Sequence, residues 1–235
     1  MTATTSDAID PPGASAPAAG PDWAAFDAFT WTHLVVVVVA AALTVALLRT
    51  GRRLRRKSPV AERRLRIALA VSMVAAQVAA GILWLHPSRF EPTISLPLHV
   101  CDLAPWIAVV ALLSRFGRGD VLRALTYFLG LGLSAWGFAW PVLERGPATL
   151  VFWLFWLVHW QIVAAALYLP VVGDWRPGWR DLRVAAIAVV VYTVLITPLN
   201  LALGRTTATS GPSPARPTCS DRGRGGCRCW SRARS

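Results

Sequence analysis

The sequence predicts an all-α polytopic transmembrane helical bundle of about six spans with its N-terminus outside. Three observations predict it. Hydrophobic residues make up 55% of the 235-residue chain and charged residues only 15%, whereas a soluble domain carries about 25% charge; mean hydropathy is +0.49. Apolar runs of the ~20 residues needed to cross a hydrocarbon core of ~30 Å recur between short polar breaks. Twelve tryptophans suit a membrane–water boundary, where one edge of the indole is apolar and the other wet. A net charge of +12 could suggest nucleic acid, but the basic residues fall in short clusters between the apolar runs, which is how loops meet an anionic leaflet. No nucleic-acid partner is expected.

Residues 1–28 are rich in Ala, Pro and Asp and contain no Lys or Arg. They lack the basic start of a signal peptide and read as a disordered tail. The transmembrane domain is expected over 29–204, with spans near Trp31 to Leu48, Ile67 to Leu85, Leu98 to Leu113, Ala124 to Leu143, Leu150 to Leu169 and Val184 to Leu203. Short cytoplasmic loops retain Lys and Arg. The first loop holds nine basic residues (Arg49, Arg52, Arg53, Arg55, Arg56, Lys57, Arg63, Arg64 and Arg66) and is expected inside. The third loop (Arg115, Arg118, Arg123) and the fifth (Arg176, Arg180, Arg183) agree, while the second and fourth carry only Arg89 and Arg145. The chain is therefore expected to be a multi-pass protein of the cell membrane. Membrane lipids are its partners, and Arg52, Arg53, Arg55, Arg56 and Lys57 meet the anionic leaflet.

Residues 205–235 differ in texture, being rich in Ser, Pro, Gly, Arg and Cys with seven arginines. An even number of spans puts those arginines on the disfavoured side. Cys219, Cys227 and Cys229 lack the paired spacing of a structural zinc site, and no metal or cofactor is expected.

Ionisable groups inside a span cost at least ~2.5 kcal/mol each on insertion scales, so each is a candidate functional residue. The third span opens with His99, Cys101 and Asp102; the fifth carries His159 and Gln161; Tyr192 and Asn200 lie in the sixth and Tyr127 in the fourth. At a rise of ~1.5 Å per residue, Cys101, Asp102 and Asn200 lie roughly 5 Å below the outer boundary, and His159 and Tyr192 roughly 14–18 Å. The outer half is thus expected to hold a polar cavity, and the inner half to be almost wholly aliphatic apart from Tyr127. His99 and Asp102 share a helix face, while Cys101 lies about 200° around from His99. Pro105 has no amide hydrogen, which deprives the Cys101 carbonyl of its helical partner and kinks the span.

Each candidate has a plainer reading. A membrane cysteine serves as a small apolar side chain, His159 as a bond to a neighbouring helix, and Asp102 as a solvated or His99-paired carboxylate. Trp136, Trp140, Trp153, Trp156 and Trp160 serve as packing groups and interface anchors, and the basic first loop as a topogenic segment.

Three stretches together resemble a known family: Ser95-Leu96-Pro97-Leu98-His99-Val100-Cys101-Asp102-Leu103, Trp156-Leu157-Val158-His159-Trp160, and Pro198-Leu199-Asn200-Leu201-Ala202-Leu203-Gly204. They resemble the YwaF-like bacterial integral membrane proteins, grouped with the transmembrane protein 164 family, over roughly Trp31 to Gly204. The resemblance implies acyl transfer between lipids through a cysteine and a histidine, with Cys101 as nucleophile and His99 or His159 as base. Asp102, Tyr192 and Asn200 would then face the substrate. After Gly204 the chain departs from the family, whose members continue with an Asn-Tyr-Gly-Tyr-Leu-like stretch and a further span; a reading-frame change there is the expectation.

The leading function is thiol-dependent lipid acyl transfer or hydrolysis at the outer half of the bilayer. A small-solute transporter, in which His99, Asp102 and His159 line a path, would be favoured by internal repeats, and none is visible. A non-catalytic assembly or lipid-binding role would be favoured by a silent Cys101→Ser.

Overall fold

The computed structural model describes Trp23 and residues 25–87, 100–114 and 120–202. Helix α1 spans Trp31–Lys57, α2 Pro59–Leu85, α3 Val100–Leu113 and α4 Asp120–Leu129. The α4 axis continues through a π-helical stretch, Gly130–Ser134, and a last piece, Trp136–Ala139; α5 spans Leu150–Val171 and α6 Trp179–Ala202. No strand occurs among the described residues, only an isolated bridge between Ala25 and Arg145. Five stretches are long and apolar enough to cross a membrane: α1, α2, Val121–Ala139, α5 and Trp179–Pro198. The third expected span is a shorter apolar helix, Asp102–Leu113.

The expected first loop is not a loop. Helices α1 and α2 are each 27 residues, about 40 Å long, and only Ser58 separates them. Its hydroxyl accepts the Ala61 amide hydrogen at 3.3 Å, and Pro59 occupies the first helical position, where a missing N–H costs nothing. The nine basic residues therefore extend both helices beyond the apolar thickness, and Arg66 sits inside the bundle rather than in solvent.

At the α1–α2 turn, which we call the hairpin end, two arginines close off α5. Arg52 Nε donates to the Val171 carbonyl at 3.1 Å, and Arg55 pairs with Asp174 at 3.2 Å. Cations suit this position because the last carbonyls of a helix have no intrahelical partner.

Helix α5 is the centre of the bundle, in contact with α1, α2, α3 and α4, whereas α6 packs chiefly on α4. Its small residues explain the close approach. Ala164, Ala165 and Ala166 are fully buried, and a Cβ at Gly130 would come within 2.7 Å of the Ala166 Cβ. Helices in lipid lose no more apolar surface to each other than to acyl chains, so close backbone contact and buried polar bonds must hold them together. The core around this axis joins Leu69, Met73, Ala108, Leu112, Ile162 and Tyr168.

Helix α3 is clamped from α2 at both ends. Gln77 Nε2 donates to the Asp102 carbonyl at 3.4 Å, and Arg66 Nη1 to the Leu112 carbonyl at 3.0 Å. Opposite the hairpin end, Trp23 and residues 25–29 lie across the bundle. Phe26 donates its amide hydrogen to the Glu144 carbonyl and Ala148 to that of Trp23, both at 2.9 Å. The Phe26 ring is buried against His33, Phe152 and Trp156, so packed chain begins before Trp31.

Candidate functional site

Three residues on one face of α1 meet α5 in succession. His33 packs on Trp156 with ring centroids 5.6 Å apart, Thr44 Oγ1 accepts from Trp160 Nε1 at 3.0 Å, and a Cβ on Gly51 would lie 2.8 Å from Tyr168 Cε2. Spacings of 11 and 7 residues are close to three and two helical turns, which is why one face carries all three.

The His33 tautomer follows from its partners. Nδ1 accepts the Phe29 amide hydrogen at 3.0 Å, so the ring proton sits on Nε2, which donates to the Phe138 carbonyl at 2.8 Å. Both nitrogens are occupied in holding the N-terminal segment and the end of the α4 axis together. His33 is thus a structural latch.

His159 is arranged differently. Its Nδ1 lies 2.8 Å from the carbonyl of Phe155, one turn back on α5. A carbonyl can only accept, so Nδ1 carries a hydrogen, and in the neutral ring the lone pair then belongs to Nε2. The Phe155 ring backs the imidazole at 4.2 Å between centroids. The Cδ2–Nε2 edge faces Gly137, where a Cβ would come within 2.7 Å of Cδ2 and 3.1 Å of Nε2. Among the described residues Nε2 makes no hydrogen bond. The result is a neutral imidazole oriented through one nitrogen, with a basic nitrogen at the α4–α5 seam. The π-helical stretch just before Gly137 belongs to the same feature, since such stretches frequently accompany functional sites. Ser134, its last residue, is buried, and its hydroxyl has no partner among the described residues.

The expectation of an almost wholly aliphatic half toward the hairpin end is corrected. Glu62 is 3% exposed; its Oε1 accepts from Tyr168 at 2.9 Å and forms an ion pair with Arg66, whose Nε lies 3.0 Å away. Arg66 also reaches the Leu112 carbonyl. A buried carboxylate is tolerated when its charge and lone pairs are both satisfied, and the cluster ties α2, α3 and α5 together. Sequence reasoning missed it because Glu62 and Arg66 lie in the basic stretch taken for a loop, while Tyr168 lies at the far end of the fifth apolar run. The signal was an i, i+4 acid–base pair opening a helix.

The expected site residues are placed unevenly. His159 lies nine residues into α5, roughly 14 Å along it. Cys101 is the second residue of α3; its side chain, those of Asn200 and all of His99 lie outside the described residues. Asp102 is partly buried in the first turn of α3. Tyr192 is partly buried on the packed face of α6, in register with Ala185 and Ala188. Of the tryptophans, Trp136, Trp140 and Trp153 are exposed, Trp160 bonds across to α1, and Trp156 is buried in the aromatic cluster. Among the described residues no three His, Cys, Asp or Glu side chains converge as a metal would require.

Helices of this length and apolarity, joined by buried polar bonds around a central small-residue helix, define an all-α polytopic membrane protein. Its family is also determined: the TMEM164 family model matches residues 28–207, most of the chain, and the protein belongs to that family. No curated protein and no solved structure matches it.

Proposed function

We propose that the protein is a thiol-dependent lipid acyltransferase or hydrolase of the YwaF-like branch, lying in the cell membrane with its N-terminus outside. One observation carries this reading: His159 holds a proton on Nδ1 through the Phe155 carbonyl and sets Nε2, without a hydrogen bond among the described residues, against Gly137. That is the state a general base requires. Cys101 is the nucleophile by its resemblance to the family motif. Helix α3 packs on α5, the helix that carries His159.

In the reaction the thiol gives its proton to His159 Nε2, and sulfur bonds to the ester carbonyl carbon of a lipid. The carbon–oxygen ester bond breaks, the departing alkoxide takes the proton from the imidazolium, and the acyl group rests on Cys101 as a thioester. A second lipid hydroxyl, or water, then takes the acyl group and the thiol is restored. His99 is the alternative base, and Asp102, Tyr192 and Asn200 contact the substrate.

Labelling intact membranes with an acyl-chain probe that reacts with thiolates tests the reading. Strong labelling that disappears in Cys101→Ala and drops in His159→Ala is expected. Labelling that is equal in wild type and Cys101→Ala removes the proposal and leaves a non-catalytic lipid-binding role.

A further inference from the structure

The α5–α6 connection and the flank of α4 enclose an open groove of about 310 Å³, lined by Tyr127, Phe128, Pro177, Gly178, Trp179 and Leu182. Its volume is at the lower end of the ~300–1,000 Å³ typical of small-molecule sites, enough for part of one hydrocarbon chain. The wall is held in shape: Tyr127 packs edge-on against Trp175 at 5.9 Å and against Phe128 at 5.1 Å. Trp179, 78% exposed, stands at the rim where α6 begins its apolar run.

The surrounding charge is one-sided. Arg176, Arg180 and Arg183 are all exposed. Asp174 is paired with Arg55 at 3.2 Å, and Asp181 Oδ2 accepts the Gly178 amide hydrogen at 2.9 Å beside the groove, so one carboxylate stands against three arginines and the balance is positive. Three arginines without an ion pair among the described residues thus stand next in sequence to the residues lining an apolar, aromatic groove at the edge of a membrane span. That combination matches a ligand with an anionic head and a hydrocarbon body.

We propose that this groove binds an anionic phospholipid, its phosphate on Arg176, Arg180 and Arg183 and the start of one acyl chain against Phe128, Trp179 and Leu182. A zwitterionic lipid offers the same phosphate but brings its own cation, which the arginines repel. The bound lipid fills the seam between α4 and α6, and α6 has few other contacts to hold it. Phe128 lies nine residues from Gly137, roughly 14 Å along the same axis. The site is therefore separate from His159, and the proposal does not rest on acyl transfer.

The test uses the full chain in nanodiscs of equal phosphatidylcholine and phosphatidylglycerol, with lipids retained after detergent extraction counted by mass spectrometry. Phosphatidylglycerol should be enriched about fivefold, in line with the contribution of a guanidinium near an anionic surface. The ratio should return to that of the bulk in Arg176→Gln/Arg180→Gln/Arg183→Gln. It should also fall in Leu182→Trp, which fills the groove, with helicity by circular dichroism verifying that both variants fold. Equal retention of the two lipids overturns the proposal, as does enrichment that survives the triple substitution. Enrichment lost instead in Arg53→Gln/Arg56→Gln overturns it by assigning the effect to the hairpin. Displacement of the lipid by soluble glycerophosphoglycerol does so too, because a headgroup alone would then suffice.

Discussion

Tyr168 donates its phenolic hydrogen to Glu62 Oε1 at 2.9 Å, across 106 residues of sequence, and Arg66 Nε lies 3.0 Å from the same oxygen. One carboxylate oxygen therefore joins the centre of the bundle to the start of α2. Removing the Tyr168 hydroxyl should cost about 1.5–3 kcal/mol, the range for a hydrogen bond to a charged group. Glu62→Ala should cost about 3–5 kcal/mol, because the buried Arg66 charge loses the carboxylate that balances it. Unfolding in mixed micelles at rising SDS fraction measures both. A Glu62→Ala variant as stable as Arg63→Ala, on the exposed face of α2, would refute the assignment.

Gly51 and Gly81 lie in α1 and α2 and should respond oppositely to alanine. At Gly51 the added Cβ meets Tyr168 Cε2 at 2.8 Å, while at Gly81 nothing lies within 4 Å. Gly51→Ala is expected to destabilise by about 1–3 kcal/mol through overpacking. Gly81→Ala is expected to be neutral or to stabilise by up to about 1 kcal/mol through helix propensity. The same unfolding measurement compares them, and similar losses at both sites would contradict the close α1–α5 contact.

Gly137→Ala tests the histidine geometry. Its Cβ would press on the His159 Cδ2–Nε2 edge and displace the imidazole. A displacement of 1 Å can cost on the order of 100-fold in rate. Acyl-probe labelling of Cys101 should slow by at least about tenfold, whereas Gly132→Ala, with open space around its Cβ, should label at the wild-type rate. Equal rates for the two variants would mean that the His159 edge takes no part.

Orientation is tested by cysteine accessibility. With the four native cysteines replaced by serine, Thr30→Cys should react with a membrane-impermeant maleimide in intact cells, and Lys57→Cys only in inverted vesicles. Both positions are exposed. The reverse pattern would invert the topology.

Some of this architecture was legible in the residues alone. The apolar runs locate α4, α5 and α6 to within several residues at both ends and α2 at its Leu85 end, because an 18- to 20-residue greasy stretch has few alternatives to a spanning helix. Helix ends were less legible: nine basic residues looked like a loop, yet arginine and lysine are good helix formers, and one capped serine turns the chain. The polar contacts of α1 were legible only in part. The 33–44–51 spacing marks one face, but nothing in a single helix names its partner.

By itself the sequence determined that the chain is a helical membrane protein, because hydropathy is a property of neighbouring residues. Only the tertiary structure decided that α5 is the central helix, that Glu62 and Arg66 are buried beneath Tyr168, and that His159 turns an open nitrogen toward Gly137. These pairings depend on which helix faces are apposed. Lipid solvates every apolar face almost equally, so small-residue contacts and buried polar bonds select the neighbours.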